Sequence, residues 1–296
     1  MNSCLWFFKQ VVHVNLNLSV LVLLAWLLLG KKSGPKTSLF VWCTVALRFL
    51  IDPFLCPENE MIPPVNFADQ GSLSLGVGLG LQSQTLLCHL GLGTESLSVG
   101  DLAVLSLGEE LCRNLGAVML SILLFVILAR LLQLLANPGT RQGLVWCERA
   151  GGPCVRGWLT PSIVLPYRLL KELEPAEIEA VVAHEKAHLR AGDHRLFALL
   201  YLLRSWCWLV WPLKIVLDGV ELSIEQLRDK EASQEVGPTS LGRALVKLAS
   251  LNSDSRSPAF NGSAVMARLQ ALRPGLLRES WPVALTSLML LKAVFL

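Results

Sequence analysis

Apolar residues run almost unbroken from about Val11 to Leu29, closing on Val-Leu-Val-Leu-Leu-Ala-Trp-Leu-Leu-Leu. That run is long enough to cross a hydrocarbon core, which takes about 20 residues. No small-residue cleavage site follows it, so it reads as a retained anchor rather than a cleaved signal peptide. A basic turn with Lys31, Lys32 and Lys36 leads into a second run, about Leu39 to Leu55. About eight strong apolar residues there, at roughly −0.4 kcal/mol each, nearly cancel one arginine, Arg48, at roughly +3 kcal/mol. The span therefore needs Arg48 paired, and Asp52 one turn later is the expected partner. A third run covers about Leu115 to Leu135 and stops at Asn137-Pro138-Gly139. Between the second and third runs, residues 57–112 show no lasting period and are expected to form an irregular external loop. A last run, Trp281 to Leu296, somewhat short of a full span, is expected to cross a fourth time with help from Leu276 and Leu277, with an interfacial tail as the alternative.

The middle of the chain has a different rhythm. Val155 to Tyr167 alternates short β-prone pieces with Gly157, Pro161 and Pro166, a pattern expected at sheet edges. Leu173-Glu174-Pro175-Ala176-Glu177 starts a helix, with proline at the first position and acids in the first turn. That helix is expected to stop near Gly192. Leu196 to Leu217 is again apolar, and Glu221 to Ala232 is a polar helix-former. Gly237-Pro238-Thr239 opens a further helix through Leu251, followed by a polar loop over Asn252 to Ser263.

Composition sharpens this picture toward a membrane. The 296 residues are 53% hydrophobic and 17% charged, with a mean hydropathy of +0.52; soluble domains run about 45–50% apolar. No Lys or Arg occurs from Phe49 to Cys112, whereas basic residues recur from Asn137 to Trp281. The positive-inside rule then places the loop outside and the middle region in the cytoplasm. A net charge of +3 without a basic stripe argues against a nucleic-acid partner. The eight cysteines include no C-x-x-C pair, which argues against a cysteine metal site or redox motif. Cys56, Cys88 and Cys112 fall in or beside the external loop, where a disulfide is chemically allowed.

The chemistry concentrates in Val181-Val-Ala-His184-Glu185-Lys-Ala-His188. On a helix, residues four apart leave the same face, so His184 and His188 can hold one zinc ion. Glu185 beside them can take a proton from the attacking water in hydrolysis of a carbonyl. A catalytic zinc needs a third protein ligand. Glu225 can supply it, with Asp229 one turn on to orient a ligating histidine; by chemistry alone Glu221 remains an alternative. His194 reads as a surface residue beside the helix end, with stabilisation of the tetrahedral intermediate as its other reading. Shared ligation has a consequence for the Leu196 to Leu217 run. A full crossing would put His188 and Glu225 on opposite sides, so the run is expected to turn back as a re-entrant or interfacial pair. The bend is expected near Pro212, with Trp206, Trp208 and Trp211 at headgroup level.

Pro153 to Gly157, Pro161 to Pro166, His184 to His188, Asp193, Trp211-Pro212 and Glu225-Gln-Leu-Arg-Asp229 together resemble the integral-membrane zinc peptidases of BlaR and MecR type, over roughly Pro153 to Leu272. The resemblance implies His184, His188 and Glu225 as zinc ligands and Glu185 as general base. It also implies Asp229 and Asp193 as the carboxylates behind the ligands. Arg228 departs from the family, which usually has a small residue there. The receptors' penicillin-binding sensor domain has no counterpart in the sequence, so β-lactam sensing is not expected.

The expected fold is mainly α: a polytopic helical membrane protein with a small α+β, gluzincin-like cytoplasmic zinc-peptidase domain. Residues 1–136 form the membrane region and 137–275 the peptidase domain, with the apolar segment at about 196–217. Residues 276–296 form the last span. The expected function is a membrane-embedded zinc metalloendopeptidase of the inner membrane, multi-pass, with its active site on the cytoplasmic side. It would cleave a cytoplasmic regulator, such as a transcriptional repressor, or itself, in signal transduction. The alternatives are a quality-control or processing protease of HtpX or CAAX type, and a non-catalytic signalling scaffold with a structural zinc. The sequence leaves the oligomeric state open.

Overall fold

A computed structural model describes residues 3–29, 33–55, 99–139, 143–148, 150–251, 262–273, 279–280 and 282–286. The chain is mainly helical with one small sheet. Three long helices come first: α1 (Ser3–Leu29), α2 (Pro35–Leu55) and α3 (Val99–Ala136). Helix α3 begins well inside the stretch expected to be a loop. No proline interrupts the sequence from Val99 to Ala136, so nothing there stops a helix from extending back. The rest of the expected external loop, with Cys56 and Cys88, and most of the expected last span lie outside the described residues. So does the Asp52 side chain expected to pair with Arg48.

A three-stranded sheet follows, from β1 (Leu144–Cys147), β2 (Cys154–Arg156) and β3 (Ser162–Pro166). Its order is β1-β3-β2, with β1 parallel and β2 antiparallel to β3. The proline-bounded strand is therefore central, not an edge. Pro161 precedes it and Pro166 ends it, so neither removes a donor from the middle of the ladder. The edge that faces the helices is β2. The sheet is fastened to the end of α3, where the Trp158 indole donates to Leu134 O at 2.9 Å and the Thr160 amide donates to Pro138 O at 2.9 Å.

After a short α4 (Leu169–Glu172) come α5 (Pro175–Ala191), α6 (Asp193–Leu203), α7 (Trp211–Val236), α8 (Pro238–Leu251) and α9 (Gly262–Ala271). Pro175 opens α5, and Glu174 and Glu177 form a reciprocal capping box. Gly192 ends it at φ 74°, a left-handed conformation that costs glycine little. Between α6 and α7 the chain reverses through a 3-10 turn, Arg204–Trp206, and Pro212 sits in the first turn of α7. The apolar and polar segments read separately from the sequence are one 26-residue helix. Its first half packs against α1 and α2 through Leu213, Val216, Leu217 and Val220, all buried. Its second half carries Glu225.

The reversal between α6 and α7 reaches deep among the long helices. The Asn15 amide donates to Leu209 O at 2.8 Å, and Trp206 stands edge-on to Phe49. Gly219 lies against Trp42: an added Cβ would sit 2.6 Å from the indole. Helix α7 thus runs antiparallel to α2, and continuing from Gly219 brings Glu225 level with the start of α2. Glu279 returns the chain to that same place, accepting the Thr37 amide and hydroxyl at 2.9 Å each.

Candidate metal centre

Small residues let the helices of the site approach closely. Ala180, Ala183 and Ala187 make one buried face of α5, and Ala180 and Ala183 pack with Ala232 of α7 and with Leu241 and Leu245 of α8. The close contact brings His184, His188 and Glu225 together, each with one ligand atom within 4.8 Å of the others. His184 Nε2 and His188 Nε2 are 3.1 Å apart, and they lie 3.3 and 3.5 Å from the two Glu225 oxygens. Three donors at about 2.0–2.1 Å from a tetrahedral zinc stand about 3.3 Å from one another. The observed separations bracket that value, so the donor set fits such an ion.

Each ring is held from behind. His184 Nδ1 lies 3.0 Å from Asp229 Oδ1, and His188 Nδ1 donates to Asp193 Oδ2 at 2.8 Å. A carboxylate on Nδ1 keeps the proton there and leaves Nε2 free to bind a metal. Arg228 clamps Asp193 with Nε at 2.7 Å and pairs with Glu231 at 2.8 Å. Glu221 points elsewhere, to Arg204 at 2.8 Å, which separates it from Glu225.

Arg268 of α9 was not visible as a site residue in the sequence. It is 2% exposed, grips Asp229 with Nε at 2.7 Å and Nη2 at 2.8 Å, and reaches Glu225 with Nη1 at 3.0 Å. The available signal was an arginine on the face of α9 that also carries the buried Val265.

The electrostatics ask for more positive charge. With both imidazoles neutral, the Glu225 and Asp229 carboxylates face Arg268 alone, and a bound cation or protons on the rings supply the missing positive charge. Burial opposes a charged ring at His184, yet the Asp229 and Glu225 carboxylates outweigh it and push its pKa up to about 10. His188 rises against the same burial, through Asp193 and Glu225. Burial also opposes ionisation of Glu225, but Arg268 and the two rings hold it well below the usual carboxylate range. Glu185 goes the other way, pushed up by burial.

These residues open into a cavity of about 220 Å3. Pro153, Cys154 and Val155 at β2 form one side, and Leu241, Ala244, Leu245 and Leu248 of α8 form an apolar wall. His194 and Phe197 of α6 complete the lining, with Arg268.

Residues 128–217 match the BlaR1 peptidase M56 family. No curated protein and no solved structure matches the chain. The M56 match takes in His184, Glu185, His188 and Asp193 but stops at Leu217, short of Glu225. M56 peptidases are metallopeptidases. The match thus covers the first two candidate ligands and the candidate base, and the geometry alone brings Glu225, Asp229 and Arg268 to them.

Proposed function

We propose that the chain is a membrane-embedded zinc metalloendopeptidase whose active site is the cleft between α5, α7 and β2. The observation that carries this reading is the trio His184, His188 and Glu225, spaced for one tetrahedral ion with Glu185 at the open side. Structural zinc sites close with four protein ligands, whereas catalytic sites keep one position open. Three ligands in a cleft therefore favour catalysis over a scaffold role.

A zinc ion held there supplies Lewis-acid polarisation of the scissile carbonyl and lowers the pKa of water. The protein's own groups do the rest. Glu185, raised by burial, is suited to accept a proton from the attacking water and return it to the leaving amine. Asp229 and Asp193 hold the imidazoles so that both Nε2 atoms meet at one point. On the side of β2 away from β3, no strand pairs among the described residues, and an extended peptide can add there by backbone hydrogen bonds. The apolar wall of α8 receives one of its side chains.

Helix α3 supports the membrane assignment. Residues 114–136 are long and apolar enough to cross a bilayer, and Leu124, Phe125, Leu128 and Leu132 are exposed. It is the one such helix among the described residues. With α1 and α2 packed alongside, we read all three as membrane-inserted, with the cleft at the cytoplasmic face. Asn15 lies about 21 Å from the Leu29 end of α1 at 1.5 Å per residue. The α6–α7 reversal beside it therefore dips deep into the layer and returns, carrying Trp206 well away from the headgroups on the active-site side. The proposed substrate is a cytoplasmic regulator, such as a transcriptional repressor, or the enzyme itself.

The test is cleavage of casein and quenched peptides by purified protein, wild type against Glu185→Gln. The reading predicts that the variant keeps its zinc and loses about 10²–10⁴-fold in rate. Equal rates remove Glu185 from the mechanism.

A further inference from the structure

His194 lines the same cleft as Glu185 and the ligand histidines, yet no step above uses it. It sits in the first turn of α6, directly after Asp193, which is fixed by His188 on one side and Arg228 on the other. The left-handed Gly192 turns the chain between the last turn of α5 and this first turn of α6. The position of His194 relative to the ligands is thus set by the same contacts that set the ligands.

Its Nδ1 is buried and has no hydrogen-bond partner. An orphaned buried N–H is rarer than an unsatisfied acceptor, so the proton belongs on the other nitrogen. That leaves Nε2–H as the donor. Burial and the neighbouring Arg195 also hold the ring below its ordinary pKa.

In addition to the Lewis acid, a preorganised hydrogen-bond donor speeds peptide hydrolysis by meeting the negative charge that develops on the scissile carbonyl oxygen. Arg268, the other strong donor in the cleft, is engaged by Asp229 and Glu225, and the Cys154 thiol is a weak donor. Resting on the peptidase reading, we propose that His194 donates the Nε2–H hydrogen bond that stabilises this oxyanion. The ring keeps its proton throughout: the C–N bond breaks and Glu185 delivers the proton to the amine.

Full-length protein in detergent would be compared as wild type, His194→Phe and His194→Gln. The readouts are kcat, KM, bound zinc, and affinity for a phosphonamidate peptide that mimics the charged tetrahedral state. In His194→Phe, kcat is expected to fall about 10²–10³-fold, the usual cost of one oxyanion donor. Phosphonamidate affinity should fall in step, while KM and zinc content hold. His194→Gln, which keeps an N–H donor, should recover part of both. Unchanged kcat and phosphonamidate affinity in His194→Phe would overturn the assignment, as would zinc loss in both variants, which would mark a structural residue. A wild type that neither cleaves peptides nor binds the phosphonamidate would instead bring down the peptidase reading, and this assignment with it.

Discussion

Arg268 holds two roles together at the centre of the site. It neutralises Asp229, the carboxylate behind His184, and it touches Glu225. Removing one partner of a buried ion pair leaves the other uncompensated and costs about 3–5 kcal/mol. Arg268→Ala is therefore expected to lower the thermal midpoint in detergent strongly, and Arg268→Lys to recover only part, because a lysine cannot make the two-pronged contact. An unchanged midpoint would contradict that role. The pH behaviour follows from His184, whose pKa is raised from 6.5 to about 10 in the metal-free protein. A raised pKa stabilises the fold fully below the unfolded value and loses that contribution as pH rises through about 10. Zinc needs the unprotonated ring, so its affinity runs the opposite way and its binding releases protons. Zinc titrations against a chelator at pH 6 and pH 8 should show tighter binding at pH 8; equal affinities would contradict the account. The spacing of His184, Glu185 and His188 made those three legible in the sequence. Glu225 and Glu221 were not separable there, because only the fold shows that Glu221 is taken by Arg204. Arg268 was hidden because its partner Asp229 lies on another helix, 39 residues earlier in the chain.

The site depends on how α7 lies against its neighbours. Its apolar first half belongs with α1 and α2 and its polar second half with α5, a division that hides a single helix from any reading of periodicity. The boundaries of α5 were legible, since Pro175 and Gly192 act locally, whereas the place of β3 at the sheet centre depends on pairing that no local signal carries. Gly219 is the tightest point of the α2–α7 contact. A methyl there meets the Trp42 ring, and overpacking of this kind costs about 1–3 kcal/mol. Gly219→Ala should lower the thermal midpoint, and adding Trp42→Ala should give a smaller further loss than Trp42→Ala produces alone. Additive losses would show that the two residues are not in contact.

At the scale of the molecule, the long apolar helices were legible because hydropathy needs no partner to be read. The turning back of residues 196–217 was expected so that His188 and Glu225 could share one ion; in the structure a 3-10 turn, Arg204–Trp206, lies between α6 and α7 there. Phe125 projects outward from α3 and is 72% exposed. An arginine at mid-bilayer costs about 3 kcal/mol in insertion, so Phe125→Arg should reduce the fraction of chains that resist carbonate extraction from membranes. A variant retained like wild type would place that face in water.

The central claim is that His184, His188 and Glu225 hold one catalytic zinc ion. Zinc-edge X-ray absorption of the purified full-length chain tests it most directly. The account predicts about one zinc per chain, with two imidazoles, a carboxylate and one further light atom at about 2.0–2.2 Å, and loss of the metal in His184→Ala. A zinc-free wild-type protein, or a sulfur neighbour at about 2.3 Å, would contradict it.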